Sequence, residues 1–206
     1  MRYAFKTATQ HVSWPALLEV WKVADGLEVF ESGWIFDHFY PIDGNSKGPC
    51  LEAWTALAAL AQATERLRLG ILVTGVPYRH PAVLANMAAT VDVLSGGRLE
   101  LGLGAGWNVE EAQAYGIDLG GARERSERLE EACIVLSMLF DNEASTFAGT
   151  HYRLTNARCE PKQIQRPLPI CIGGSGEKRT LLTAARYAQH WNFGRASPQE
   201  ARPQVT

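Results

Sequence analysis

Asp37 and His38 are adjacent in the sequence and directly follow an apolar run at residues 33–36. A histidine beside a carboxylate can accept or donate a proton near neutral pH, which suits reactions in which a proton moves together with a hydride. If the apolar run is a strand of a parallel barrel, the pair lies at the carboxyl end of that strand, where barrel enzymes place their chemistry. The alternative is structural, with Asp37 as a helix N-cap and His38 as a packing residue.

The segment GLGAGWN at residues 102–108 completes another apolar run. Its glycine spacing differs from the GxGxxG of dinucleotide-binding turns, and no acidic residue follows where a ribose would need one. Small residues at a strand end instead allow a flat ring to approach the backbone, and Asn108 can hydrogen-bond a polar edge of such a ring. A tight turn with Asn108 as helix N-cap is the structural alternative.

The segment IGGSGEKRT at residues 172–180 predicts a glycine-rich turn between a strand and a helix. Bare amides and a helix N-terminus can hold a phosphate, and Ser175 can add a hydroxyl donor. The spacing is not that of a GxxxxGK[ST] loop, so phosphoryl transfer is disfavoured. A turn without a ligand remains the alternative.

These segments lie at the strand ends of a repeated strand-then-helix pattern, which predicts an α/β fold with parallel strands and right-handed crossovers. Both a barrel and a doubly wound sheet fit this pattern. A closed barrel needs eight strands and about 250 residues. The strands are predicted at 3–7, 33–36, 67–73, 99–103, 168–172 and 190–193, and the helices at 14–27, 51–64, 81–94, 123–140 and 177–188.

Between the fourth helix and the fifth strand, alternating residues around Gly149 predict an inserted β-hairpin at 144–161. Residues 195–206 form a polar, proline-containing tail. The sequence predicts a single domain over residues 1–206, with about six βα units.

Composition excludes several classes of protein. The 206 residues are 46% hydrophobic and 20% charged, as in a globular domain. Lys and Arg total 20 against 22 for Asp and Glu, so no broad electrostatic field favours binding to nucleic acid or to an anionic membrane.

The amino terminus lacks the apolar region of a signal peptide, and we expect a cytoplasmic protein. The cysteines show no zinc or disulfide spacing and are expected to be buried or half-buried thiols: Cys50, Cys133, Cys159 and Cys171.

Three segments, at residues 34–41, 68–108 and 168–192, resemble the luciferase-like monooxygenase superfamily, in particular its branch of F420-dependent oxidoreductases. The resemblance runs in order from the first strand to about residue 194. It implies a (β/α)8 TIM-type barrel, here incomplete and C-terminally truncated. Residues 197–200 look like the beginning of a next helix.

The resemblance also implies a function: hydride transfer between coenzyme F420 and a small organic substrate. In the F420-dependent relatives the residue matching His38 is the proposed acid/base, and the residue matching Asp37 binds the cofactor or orients the histidine. A bulge with a non-prolyl cis peptide bond is implied near Leu72. The cofactor-binding residues that follow are Val73, Thr74, Gly75, Gly104, Ala105, Gly106, Asn108, Gly173, Gly174, Ser175 and Gly176.

Two alternatives stay open, an FMN-dependent monooxygenase of the same family and a non-catalytic remnant or interaction module. The chain departs from the sugar-phosphate-oxidising members, which have a Trp where it has Ile42 and a Glu near its Trp107-Asn108 pair, so glucose 6-phosphate is not the expected substrate. Arg79 and its neighbours receive no role. We expect a homodimer or association through exposed barrel edges, and no metal.

Overall fold

The structure is a computed structural model that describes residues 3–194; the predicted tail at 195–206 lies outside the described residues. Nine strands and six helices follow one another along this part of the chain. In order they are β1 (Tyr3–Lys6), α1 (Trp14–Asp25), β2 (Phe30–Ile35), α2 (Ala53–Ala63), β3 (Arg68–Ile71), β4 (Thr74–Gly75), α3 (Pro81–Leu94), β5 (Leu99–Gly104), α4 (Val109–Ala114), α5 (Ala122–Asp141), β6 (Ser145–Ala148), β7 (Arg153–Ala157), β8 (Ile170–Gly173), α6 (Thr180–Tyr187) and β9 (His190–Asn192).

The main sheet has the strand order β1-β2-β3-β5-β8-β9, with the short β4 pairing β5. Every pair in it is parallel. Each new strand is added at the same edge, whereas a doubly wound sheet reverses its direction of growth at a switch point. The sheet is therefore an open, incomplete (β/α) barrel, as the family resemblance implies.

The helices pack against one face of this sheet because alternate strand residues are large and apolar. Ile35, Leu69, Leu101 and Ile172 are buried on this face. The α1 helix begins at Trp14 because Ser13 caps it and Pro15 occupies its first turn. Its Leu17, Trp21 and Ala24 are buried, as their helical spacing predicts.

The opposite face of the sheet is lined by a mixture of glycines and polar or aromatic side chains. The Trp34 ring lies over Gly70, where a Cβ atom would lie 2.5 Å from Cζ3 of the ring. Gly70 is therefore required by the close approach of this ring. In a closed barrel this face would be the interior.

The amino ends of β3 and β5 are held together by Arg98, which immediately precedes β5. Its guanidinium is half-buried, and burial lowers the pKa of the group. Among the described residues it bonds only to uncharged oxygens. These acceptors are the carbonyls of Ala61, Thr64, Leu67 and Ser95 and the Thr64 hydroxyl.

The predicted insertion is present as the antiparallel hairpin β6–β7. Its turn is fixed to α5 because the Glu131 carboxylate accepts hydrogen bonds from the amides of Thr150, His151 and Tyr152 at 2.7–3.1 Å. These amides also hold the pKa of Glu131 below its ordinary value, although burial acts against them.

Two boundaries differ from the predictions by three residues, and one helix was not predicted. The second strand begins three residues earlier, at Phe30, because its polar amino end pairs with β1. The last helix begins at Thr180 rather than at residue 177, because Arg179 and Leu181 both donate to the Gly176 carbonyl in a preceding turn. The short helix α4 was not predicted.

Cys133, Cys159 and Cys171 are buried and Cys50 is half-buried, as expected for ordinary thiols. Burial raises the pKa of Cys133 and Cys171 to about 12. No helix within residues 3–194 combines the length and apolar character that crossing a membrane requires.

Candidate active site

His38 lies just beyond the carboxyl end of β2, and its carboxylate partner is Glu111 on α4. Nδ1 of the imidazole lies 2.7 Å from Oε2 of Glu111. The side chain of His38 is 9% exposed and that of Glu111 is fully buried. The Asp37 carboxylate bonds to Arg79 instead of to the imidazole.

Glu111 also contacts two other segments of the rim. Its Oε1 accepts a hydrogen bond from the Phe39 amide at 2.6 Å, and its Oε2 accepts one from the Tyr78 hydroxyl at 2.6 Å. Burial acts to raise the pKa of Glu111, but these bonds and the one to His38 outweigh it and hold the pKa below its ordinary value. Burial and the neighbouring carboxylate raise the pKa of Tyr78, so the phenol remains a donor.

Asp37 is buried and forms an ion pair with Arg79. Nη1 and Nη2 of the guanidinium lie 2.6 Å and 3.0 Å from the two carboxylate oxygens. Arg79 also donates to Glu52 at 2.7 Å, and Glu52 in turn caps α2. Burial raises the pKa of Asp37, and the guanidinium opposes that shift. Asp37 therefore anchors the rim loop that carries His38, and Arg79, to which the sequence analysis gave no role, is its counter-ion.

The strand β4 follows a bulge whose Leu72–Val73 peptide bond is cis and non-prolyl, as the resemblance implies. The Val73 side chain lies against two glycines of neighbouring strands. A Cβ atom at Gly104 would lie 2.5 Å from Cγ2 of Val73, and one at Gly173 would lie 2.9 Å from its Cγ1. Residues Thr74 and Gly75 pair with the end of β5, so the ends of β4, β5 and β8 converge.

The turn after β5 brings Trp107 beside His38. Gly106 has a φ of 80°, a conformation that favours glycine, and it follows the half-buried Ala105. The Trp107 ring is 63% exposed and its centroid lies 5.6 Å from that of the imidazole, edge to face. Asn108 caps α4 by accepting from the Glu111 amide at 3.2 Å, which is the structural alternative for this residue.

The turn after β8 is exposed from Gly174 to Gly176. The Gly174 amide already donates to Asn192 at 3.1 Å, while its carbonyl accepts from the Trp191 indole at 2.7 Å. The amides of Ser175 and Gly176 are accordingly the better candidates for holding an anion. Arg179 points to α5 instead, 3.2 Å from Glu127.

Two cavities adjoin this part of the chain. One, of about 510 Å³, opens on the interior face of the sheet and reaches Leu72, Cys171 and Asn192. The other, of about 420 Å³, lies outside the sheet between Arg79, Arg128 and the hairpin turn. The sequence-predicted site residues lie at the carboxyl ends of β2, β4, β5 and β8. Neither of these two cavities is lined by His38, Gly106 or Ser175.

Sequence reasoning missed Glu111, Tyr78 and Arg79. The signal for Glu111 was slight, a carboxylate three residues after a candidate N-cap, and its partner His38 is 73 positions away. No group of three or more His, Cys, Asp or Glu that could hold a metal ion occurs among residues 3–194.

Comparison with known proteins agrees with this fold. The profile of the family described as luciferase-like monooxygenase matches residues 5–205, and the chain belongs to that family. It is 32% identical, over 92% of its length, to an F420-dependent glucose-6-phosphate dehydrogenase of Microbacterium testaceum (strain StLB037). It is 34% identical, over 79% of its length, to an F420-dependent hydroxymycolic acid dehydrogenase of Mycobacterium tuberculosis (strain ATCC 25618 / H37Rv).

Among solved structures, an F420-dependent secondary alcohol dehydrogenase in complex with an F420-acetone adduct superposes with a TM-score of 0.82 at 25% identity. The match covers 93% of this chain and 58% of that one. The alignments cover 55% of the Microbacterium relative and 44% of the Mycobacterium relative. The chain thus spans about half the length of the curated relatives that it matches.

Proposed function

We propose that this chain forms the F420-binding part of an oxidoreductase that transfers a hydride between coenzyme F420 and a small organic substrate. The observation that carries the proposal is the shared rim: an imidazole held by a buried carboxylate lies at the same sheet edge as glycine turns on which a flat ring can rest. The F420-dependent relatives support the identity of the cofactor.

The residues present fit such a cofactor. The Val73 side chain packs against the bare backbones of Gly104 and Gly173, so at these strand ends the bulge itself is the surface that a flat ring would meet. The Thr74 hydroxyl is buried and has no hydrogen-bond partner among the described residues, so a polar group of a ligand could satisfy it. The exposed amides of Ser175 and Gly176 would hold the phosphate.

When bound, F420 would supply the carbon centre that accepts or releases the hydride. The chain itself handles the proton. Because Nδ1 of His38 is bonded to Glu111, Nε2 is the nitrogen left to exchange a proton with a substrate hydroxyl. It takes the proton when an alcohol is oxidised and returns it when a carbonyl is reduced. Asp37, through its ion pair with Arg79, holds the loop that carries His38.

Spectroscopic titration tests the cofactor. We expect saturable binding of F420, with FMN bound at least tenfold more weakly. The reverse preference would overturn the proposal in favour of an FMN-dependent monooxygenase, and binding of neither would favour a non-catalytic module.

Substitution of the acid/base tests the chemistry. His38→Asn should bind F420 as the original chain does but lose about 10²-fold or more in turnover of a small alcohol or ketone, the range for general acid/base groups. His80→Asn is the matched control, because His80 caps α3 and asparagine is a good N-cap. Equal turnover in both variants would refute the role of His38. Glucose 6-phosphate should remain unoxidised.

We also propose that residues 1–206 form one partial barrel domain that acts in the cytoplasm. This domain associates through its sheet edges. Among the described strands, β1 pairs only β2, and β9 pairs only β8. Val20 and Val23 on the neighbouring α1 are 48% and 56% exposed. Sedimentation should show a dimer or larger species, and a folded monomer that binds no apolar dye would contradict this association.

A further inference from the structure

Glu111 connects parts of the rim that are distant in sequence. Its carboxylate bonds to His38 and Phe39 after β2 and to Tyr78 after β4, at 2.6–2.7 Å. Its own amide is held by Asn108. All of these contacts meet at a residue with no exposed surface.

The protonation of these partners follows from the chemistry of the carboxylate. An ionised carboxylate only accepts hydrogen bonds, and the phenol and amide that face it are donors. The pKa of Glu111 lies below its ordinary value, so the group is ionised at neutral pH. Nδ1 of His38 must therefore carry the hydrogen that lies between the two groups, and in the neutral ring Nε2 is then the unprotonated nitrogen.

The ring is restrained on its other sides by aromatic groups. Phe36 lies edge to face with it at 5.4 Å between centroids, and Trp107 does so at 5.6 Å. Trp107 belongs to the turn that also contains Gly106, and α4 begins two residues after it. The orientation of the imidazole and the position of the glycine turn are thus linked through α4.

We propose that Glu111 is the positioning residue of the acid/base: it fixes His38 in the Nδ1–H tautomer and aligns the imidazole with the glycine turn after β5. The inference rests on the proposed function, and it assigns to a carboxylate on α4 the orienting role that the family resemblance offers for Asp37 as one of two alternatives. Because Glu111 has no exposed surface, it acts through His38.

The test compares three variants of the chain. Glu111→Gln keeps the shape but offers an amide that can donate as well as accept, so Nδ1 is no longer required to carry the hydrogen. Glu111→Asp keeps the charge on a shorter side chain. Tyr78→Phe is the matched control, because it removes one hydrogen bond to Oε2 and leaves the His38 contact in place.

The first readout is the tautomer, measured from the ¹⁵N chemical shifts of His38 in the chain without cofactor. We expect the Nδ1–H form in the original chain and in Tyr78→Phe, and a shift toward the Nε2–H form in Glu111→Gln. An unchanged tautomer in a folded Glu111→Gln variant would overturn the inference. This readout needs neither F420 nor turnover, so it is independent of the proposed function.

The second readout separates kcat from cofactor binding. Glu111→Gln should lose about 10²-fold in kcat while its F420 Kd changes less than threefold, and Glu111→Asp should regain part of the rate. Equal loss in all three variants would indicate a purely structural contact and would overturn the inference. If Glu111→Gln does not fold, absence of the Nδ1–H tautomer in Glu111→Asp gives the same refutation.

Discussion

Removal of the Arg79 guanidinium should destabilise the chain far more than removal of an exposed arginine. In Arg79→Met the Asp37 carboxyl group loses both of its bonds to the guanidinium and must either stay buried as an unpaired charge or take up a proton, and both are costly. The side chain of Asp37 is 1% exposed and that of Arg79 is 13% exposed, so water cannot replace the lost hydrogen bonds to the Asp37 carboxyl group. Breaking one side of such a buried pair costs about 3–5 kcal/mol.

The matched control is Arg186→Met. Arg186 pairs with Glu130 at 2.7 Å, but the two side chains are 61% and 35% exposed. Exposed pairs contribute about 0.2–1 kcal/mol. Urea unfolding followed by circular dichroism should therefore show a loss of unfolding free energy at least three times larger for Arg79→Met than for Arg186→Met.

The double variant Asp37→Asn/Arg79→Met isolates the cause. It removes the buried charge together with its partner, so it should recover at least about 1 kcal/mol relative to Arg79→Met alone. Equal losses in the two single variants, or a double variant less stable than Arg79→Met, would refute the assignment of Asp37 as a buried, charge-paired anchor.

Three further predictions concern other parts of the chain. A methyl group at Gly173 would lie 2.9 Å from the Val73 side chain, so Gly173→Ala should weaken F420 binding at least tenfold in a titration. Gly121→Ala is the control, because a Cβ there meets nothing within 4 Å, and its F420 affinity should not change. Equal affinities in the two variants would contradict cofactor binding at the end of β8. Glu131→Gln should speed amide hydrogen exchange at 145–157, and unchanged protection there would count against its tethering of the turn. The folded-state pKa of Glu111 lies below its ordinary 4.5, so the stability it contributes is present above that pH and is lost as pH falls through the lowered value. The difference in unfolding free energy between the original chain and Glu111→Gln should thus shrink from pH 7 to pH 3, and a constant difference would show that Glu111 is not the titrating group.

The sequence predicted most of the scaffold because buried parallel strands are continuous apolar runs. The strand β5 is one such run. It and the helix α3 are each bounded by glycine or proline, and each was predicted to within one residue. Helix α4 was missed because six residues give too short a window for helical periodicity. The choice of a barrel over a doubly wound sheet came from the resemblance and is confirmed by the strand order.

The site was harder to predict because its decisive contacts join residues far apart in sequence. Arg79 and Asp37 are 42 positions apart, and nothing local indicates that this arginine is turned inward rather than solvated. The adjacency of Asp37 and His38 favoured a pair between them, yet neighbours after a strand point in different directions. Long-range pairing of charges follows only from the assembled sheet.

The attachment of Arg98 at the opposite end of the sheet has a consequence for acid exposure. Its acceptors are carbonyls and one hydroxyl, which hold no titrating proton, so low pH leaves them intact. The imidazole of His38 depends instead on a carboxylate that acid would neutralise. Acidification below the lowered pKa of Glu111 should release the His38 loop while the hydrogen bonds of Arg98 persist, and neutralisation should restore the loop without refolding of the whole chain.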